Sequence, residues 1–540
     1  MKHLLSRPPS AARIGSQAVL GLLFSFSLLT AAVCWPAGNG LLHARRAPGD
    51  TPVADTQAPA AERSLFRDWP QRAPDLVLVL SAQQYGYLNP CGCSKPQYGG
   101  LQRRYTFIKQ LQDRGWPVAC ADLGDLLDTP QHRGPQSLLK YQISMKSLKL
   151  MNYLAVGLGQ YETEMPLIDT LGQYALNDTS PRIVAANLRD RDANFPDMLG
   201  SWVVQAPPQG KLRLGVTGIV GPTVRAKIPQ QNPPLQFSDT TATLNAVLKD
   251  MQAEKPDVRL LLYQGNQAEA NECARHFPQF NVILCLSRES EPAEKPEKIG
   301  NTWVVGVGQK GRYVGVVGLW RTGNAAQPYE MRYQLVMLGE EYEMPAGQDK
   351  ANPVLQLLED YTRQVKDGNY LEKYTQRKHP VQVEYPEAKY VGSDECMSCH
   401  RHAYQVWKGH PHSHAYQTLV DARRPENRQF DGECIVCHTV GFGFESGYVN
   451  EPKTAHLKDV GCESCHGPGS LHVEQGKKTP AKMLALMNPH KPQPNETPEQ
   501  EAARLLRLDL ECQKCHDVDN DVKWNFKKKW PAVIHRTPRN

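Results

Sequence analysis

From about residue 75 onward, short runs of β-branched and leucine side chains alternate with longer stretches whose apolar positions recur every three to four residues. Residues 76–80 read as a buried strand, 101–111 as a helix with one apolar face, and 117–121 as the next strand. Residues 182–186, 212–220, 258–263, 281–286 and 302–307 continue the alternation. Strands spaced by amphipathic helices predict an α/β layered domain over 76–345. Helical spacing at Val354, Leu355, Leu357, Leu358 and Tyr361 predicts a helix over 351–377, inside a helical linker over 346–388. Beyond it, 389–540 has few long apolar runs, and a mostly α-helical and loop domain is predicted there.

The N-terminus carries a different pattern. Lys2, Arg7 and Arg13 precede an apolar stretch from about 18 to 33, and the helix-breaking run 35–38 follows it. This reads as an export signal or membrane anchor over 1–40, followed by an Ala/Pro-rich linker over 41–75. A cleaved signal, an uncleaved anchor and a lipid anchor on Cys34 are the three forms weighed, so membrane anchoring by this segment stays open. Any of them places the protein in the periplasm or on the outer face of the cytoplasmic membrane.

Composition narrows the class. With 40% hydrophobic and 22% charged residues the chain is neither disordered nor a polytopic membrane protein. The net charge is only +6 and no Lys/Arg block is interleaved with aromatics, which argues against nucleic acid as a partner. Cysteine and histidine change the picture more. Of 14 cysteines and 17 histidines, eight and 12 respectively fall in the last 152 residues. They include four C-x-x-C-H pentamers: Cys396, Cys399 and His400; Cys434, Cys437 and His438; Cys462, Cys465 and His466; Cys512, Cys515 and His516. Two thiols two residues apart can bond the vinyl groups of a porphyrin, and the adjacent histidine reaches its iron as an axial ligand.

Zinc also uses C-x-x-C pairs, but it does not require a histidine immediately after every second cysteine. Disulfides suit an exported chain, yet pairs this close would staple it poorly, four times over. Four covalent haem c groups in 152 residues leave 38 residues for each, so the haems themselves must form the core and lie close together. The histidines left for sixth positions are His402, His410, His412, His414, His456, His472, His490 and His535. His412 lies in a helical-looking run over 403–419, and His472 follows the rigid Gly467-Pro468-Gly469.

The run Tyr390-Val391-Gly392-Ser393, Trp407, His412-Ser413-His414-Ala415, residues 437–443, residues 460–470 and the segment from Cys515 to His535 together resemble the tetrahaem cytochrome c-554 family over nearly all of 389–540. The resemblance implies three bis-histidine haems and a five-coordinate second one, with ligands crossing between haems. Carried over, His472 would cap the first haem, His412 the third and His535 the fourth, leaving the iron at His438 open unless His414 or His456 closes it.

The α/β region has a resemblance of its own. Val79-Leu80-Ser81 through Asn89-Pro90, Gly99-Gly100-Leu101-Gln102-Arg103-Arg104, Asp122-Leu123-Gly124-Asp125, residues 156–162 and the closing run 308–315 are similar to the 5′-nucleotidase branch of the calcineurin-like metallophosphoesterases. That chemistry needs two metals about 3.5 to 4 Å apart, held by carboxylates, histidines and asparagine. Gln83, Tyr85, Gln160, Tyr161, Gln264 and Ser287 stand where such ligands belong, Glu289 lies nearby, and only Asp125 is kept. The expectation is a pseudoenzyme, with phosphoesterase activity unlikely and no catalytic residue assigned. Disulfide stapling is the expected role of Cys91, Cys93, Cys120, Cys273 and Cys285, with Cys120 a candidate partner for the C-G-C pair. A small metal or redox site in that C-G-C loop is the alternative.

Taken together, the sequence predicts an exported multihaem electron carrier, more carrier than enzyme, with a non-catalytic docking domain and a redox protein as its partner; nothing in it fixes an oligomeric state. Two alternatives are a haem enzyme acting on a small nitrogen or sulfur compound at an open second haem, with Lys408, Arg423 and Arg424 nearby, and a nucleotide or phosphate-ester binding module coupled to a redox domain.

Overall fold

A computed structural model describes residues 65–90, 93–189, 197–229 and 234–535. The export segment, Cys34, Cys91 and most of the first linker lie outside the described residues.

Among the described residues, fifteen strands form the α/β half: β1 (Leu76–Ser81), β2 (Val118–Asp122), β3 (Tyr153–Gly157), β4 (Arg182–Val184), β5 (Leu188–Arg189), β6 (Leu199–Gly200), β7 (Trp202–Gln205), β8 (Leu214–Val220), β9 (Gln236–Phe237), β10 (Val258–Gln264), β11 (Val282–Cys285), β12 (Glu297–Ile299), β13 (Thr302–Val305), β14 (Tyr313–Arg321) and β15 (Tyr329–Met337). A seven-stranded sheet runs β15-β14-β1-β2-β3-β4-β6, and a six-stranded one β12-β13-β11-β10-β8-β7. The central strands of both are parallel, while β14, β15, β12 and β7 are antiparallel additions. A short ribbon of β5 and β9 stands apart.

Side-chain alternation explains the layering. Leu76, Leu78 and Leu80 of β1 point into a dry core shared with Val216, Leu260 and Leu284 of the second sheet. Val77 and Val79 point the other way, against Phe107, Ile143 and Leu148 of the helices Leu101–Asp113 and Ser137–Leu150. The sheets approach closely at Gly218, where a Cβ would stand 2.3 Å from the Val184 carbonyl oxygen. On the far side of the second sheet, the helices Thr240–Gln252 and Gln267–His276 bury Leu244, Ala270 and Cys273 on Leu261 and Ile283. The expected α/β layered class is what the sheets form.

The linker departs from expectation in length. Its helix begins at Pro353, where Asn352 Oδ1 accepts the N–H groups of Val354 and Leu355 at 3.0 and 3.1 Å, and it ends at Asp367 instead of continuing to 377. Gly368 caps it and Asn369 turns left-handed (φ 49°), which no helix continues through. Leu358, Tyr361 and Val365 bury its apolar face in the first core.

From there the chain is short helices and loops, as expected, with two small apolar clusters, one around Tyr390, Tyr416, Ile435 and Leu457 and one around Val381, Leu471 and Met483. The helical-looking run over 403–419 is broken: a helix Arg401–Lys408 stops at Gly409, Pro411–His414 forms a 3-10 turn, and a new helix spans Ala415–Val420. Gly409 caps the first piece, and Pro411, which lacks an N–H, starts the turn.

Candidate haem sites and the degenerate metal pocket

Each C-x-x-C-H forms a single turn of helix, which brings the two cysteines at i and i+3 to one face with the histidine beside them. The second lies in Gly432–His438 and the third in Cys462–His466. The first follows the turn Ser393–Cys396, and the fourth follows the helix Pro498–Cys512. In those two, His400 N–H donates to Cys396 O at 2.9 Å and His516 N–H to Cys512 O at 3.0 Å, closing the same turn.

Three imidazoles face three of the signature histidines. Ring centroids are 5.9 Å apart for His400 and His472, 6.0 Å for His412 and His516, and 6.0 Å for His466 and His535. Two imidazoles bound on opposite sides of one metal, each with a metal–nitrogen bond of about 2 Å, put their centroids about 6 Å apart. His472 therefore stands across from the first signature, while the other two are exchanged relative to the pairing carried over from the family: His412 faces the fourth signature and His535 the third. The 3-10 turn after Gly409 carries His412 to the fourth site, its carbonyl accepting from Val460 N–H at 3.0 Å. Among the described residues no second imidazole ring stacks across from His438; His414 Nε2 lies 3.4 Å from Ser413 Oγ.

In four of the rings the second nitrogen is already engaged. Nδ1 of His438 lies 2.6 Å from Ala415 O, that of His466 2.8 Å from Met487 O, that of His472 2.8 Å from Thr479 Oγ1, and that of His516 3.0 Å from Asp521 Oδ2. Such bonds fix the ring and leave Nε2 for a metal. Burial, with His410 and His516 nearby, pushes His412 down to about 4, so its imidazole is neutral as a ligand must be. Around the signatures Met397, Val436, Val473, Leu506 and Leu510 are exposed apolar side chains of the kind a porphyrin covers. Paired imidazoles, attachment thiols and apolar flanks together fit haem c.

The signature thiols also neighbour one another. Cys396 and Cys462 lie within hydrogen-bonding reach, as do Cys437 and Cys515, and Cys465 lies beside Cys512 and Cys515. The sites thus follow the spatial order first, third, fourth, second. Glu463 ties the first to the third: its buried carboxylate accepts from Val391, Gly392 and Gly469 N–H at 3.0, 2.7 and 2.7 Å.

In the α/β half the residues at the metal-ligand positions do converge, and they bond to each other. Gln83 Nε2 donates to Tyr85 Oη at 2.6 Å, and Gln83 Oε1 accepts from Ser287 N–H at 2.7 Å. The Tyr85 ring packs edge-on against Tyr161 at 5.2 Å, and Gln264 Nε2 donates to Leu123 O at 3.4 Å. Asp125 accepts from Tyr161 N–H at 3.0 Å, and Glu162 takes the N–H groups of Asp125, Leu126 and Leu127 at 3.2, 2.6 and 3.2 Å. Burial pushes Asp125 up to about 6, and burial together with the Asp125 charge pushes Glu162 up to about 8. Neutral amides and phenols fill the space that ligands for two divalent ions would need.

The disulfide expectation is overturned for the four described cysteines of this half, all free: Cys120, Cys273 and Cys285 are buried among apolar side chains in separate strands and a helix, and Cys93 is exposed. Cys93 cannot meet Cys120 because it sits against the fourth haem signature, its N–H 3.3 Å from Asn520 O. Sequence reasoning also missed the residues that join the halves: Gln136, Lys140, Lys310 and Arg312 on one side, Asp431, Glu433 and Asp519 on the other.

Residues 395–467 match the family described as cytochrome c554 and c-prime. The chain is 36% identical over 121 residues to cytochrome c-554 of Nitrosomonas europaea, covering 18% of this chain and 52% of the relative, so it spans about half the relative's length. These matches bear out the resemblance read in the C-terminal region. Among solved structures, a 5′-nucleotidase precursor from Thermus thermophilus is 18% identical with a TM-score of 0.43, covering 54% of this chain and 59% of that one. The Thermus thermophilus sulfate thiohydrolase SoxB, solved with glycerol, is 15% identical with a TM-score of 0.44, covering 60% and 69%. No helix among the described residues is long and apolar enough to cross a membrane.

Proposed function

We propose that the chain is an exported electron carrier holding four covalent haem c groups, with a phosphoesterase-like half that no longer catalyses. Cys396 and Cys399, Cys434 and Cys437, Cys462 and Cys465, and Cys512 and Cys515 anchor the haems; His400, His438, His466 and His516 are their first axial ligands. His472, His535 and His412 hold the sixth positions of the first, third and fourth, and the second is five-coordinate. The observation that carries this reading is the set of three facing imidazole pairs at 5.9 to 6.0 Å on three of four signatures. Haem c at such positions supplies one-electron exchange at potentials set by axial ligands and burial. The residues' own part is to anchor, to orient the rings of His438, His466, His472 and His516 through Nδ1, and to keep the sites adjacent, so that an electron entering at one end of the row has a short path to the other. A redox protein, met by brief contact, is the expected partner.

The pocket around Gln83, Tyr85 and Asp125 supports the loss of catalysis, since one carboxylate among neutral amides and phenols does not hold a dinuclear centre. A redox titration followed by optical and electron paramagnetic resonance spectroscopy tests the proposal. Four haems per chain, three low-spin and one high-spin, are expected; zinc in place of haem, or fewer than four haems, would overturn it.

A second reading rests on His438, which no imidazole faces: the second haem binds a small ligand such as nitric oxide and acts on it. Turnover of nitrite, hydroxylamine or sulfite by the purified protein separates an enzyme from a carrier.

A further inference from the structure

The first and third haem sites are held by contacts from within the haem-bearing half, through Glu463, Thr479 and Met487. The second and fourth are held differently.

The helix Gly432–His438 is plugged into the α/β half by its first turn. Gln136, at the start of the helix Ser137–Leu150, donates from Nε2 to Asp431 Oδ1 at 2.9 Å and accepts Gly432 N–H at 3.1 Å. Asp431 in turn caps the signature helix through Glu433 N–H at 2.9 Å. One turn further along, Lys140 bridges Asp128 and Glu433, the latter adjacent to the attachment residue Cys434. Its side chain is 4% exposed and that of Asp128 2%. Glu433, 46% exposed, reaches the surface at the other end, so it is the Lys140–Asp128 end of the network where a charge is screened little by water.

The fourth site is gripped at the loop after its histidine. Asp519, 10% exposed, is paired with both Lys310 and Arg312 and accepts from Tyr87 Oη at 3.3 Å. Lys310 belongs to the wall of the degenerate pocket, its N–H donating to Gln83 O at 2.8 Å. Beside it, Cys93 Sγ lies 3.5 Å from Asn520 Oδ1 and Ser94 Oγ accepts Val522 N–H at 3.3 Å.

We propose that the α/β half is the outer electrostatic shell of the second and fourth haems, with Lys140 and the Lys310/Arg312 pair as positioning residues that raise the potentials of those two sites and not of the other two. The inference rests on the haem reading above. Lys140 neutralises Glu433, half-exposed beside Cys434, together with the buried Asp128, and the Lys310/Arg312 pair neutralises Asp519 after His516; without the cations the field of these carboxylates favours the ferric state. No atom is transferred, and the electron comes from the electrode.

The test is potentiometry of the full holoprotein, with haem-resolved spin and optical signals, on Lys140→Met, Lys140→Arg and the double variant Lys310→Met/Arg312→Met. With Lys140→Met the second haem is expected to show about a tenfold larger oxidised-to-reduced ratio at fixed poise, a fall of about 59 mV for a one-electron couple. Lys140→Arg restores the wild-type value, and the double variant moves the fourth haem alone. Shifts spread equally over all four haems, or no shift in variants that retain four haems, would overturn the inference. Absence of haem from the wild-type protein would overturn the underlying reading and this inference with it.

Discussion

His412 and His516 face each other with ring centroids 6.0 Å apart, although they belong to opposite ends of the haem-bearing half. In the proposed arrangement a ligand from the first signature's neighbourhood serves the fourth, so the two ends of this half depend on each other. Replacing His412 with alanine is expected to turn one low-spin haem high-spin and to perturb the hyperfine-shifted proton resonances of His516 while leaving those of His466 unchanged. His535→Ala should do the reverse. Perturbation of His466 by His412→Ala would restore the pairing that the family resemblance implied.

Glu463 offers a stability test. Its carboxylate satisfies three backbone N–H groups from segments serving the first and third sites. Glu463→Ala strands buried donors, at about 1–3 kcal/mol each. Thermal unfolding followed at the Soret band should fall well below wild type, and Glu463→Gln, which keeps one acceptor oxygen, should lie between the two.

The degenerate pocket predicts indifference to divalent metals. A real site with manganese or zinc at about 100 times its dissociation constant would stabilise the fold by about 2.7 kcal/mol. Here the melting temperature is expected to stay unchanged on adding either ion, and dialysed protein should retain neither by elemental analysis.

Asp125 and Glu162 give the pocket a pH signature. Both folded pKa values lie above the usual carboxylate range, at about 6 and about 8, because burial disfavours charge. The folded state therefore binds more protons than the unfolded one across the interval between the ordinary values and these, and stability must fall as pH rises through it. Hydrogen exchange of β1, β2 and β3 measured from about pH 5 to 9 should accelerate beyond its intrinsic dependence, and Glu162→Gln should flatten that slope.

How much of this was legible follows from how local each signal is. The attachment sites are contiguous because thioether chemistry and axial ligation demand it, so Cys434 and His438 announce themselves. The strands of the sheets are legible through alternation, Leu76, Leu78 and Leu80 to one core and Val77 and Val79 to the other. The partner of His412 was not, since nothing in its spacing distinguishes His466 from His516; that choice is made by the break at Gly409 and Pro411 and by the bond to Val460. Lys140 and Asp519 were invisible for a different reason. A lysine in a helix and an aspartate in a loop are ordinary surface residues until another part of the chain buries them.

The plug formed by Gln136, Asp431 and Gly432 ties one small substitution to both halves at once. A Cβ at Gly432 would stand 2.4 Å from the Tyr374 ring, so this helix seats in its socket without slack. The Tyr374 hydroxyl donates to Gln136 Oε1 at 3.1 Å, the same oxygen that accepts Gly432 N–H. A single methyl group at position 432 would therefore push the tyrosine off Gln136 and unseat the second signature from the strands and helices beneath it.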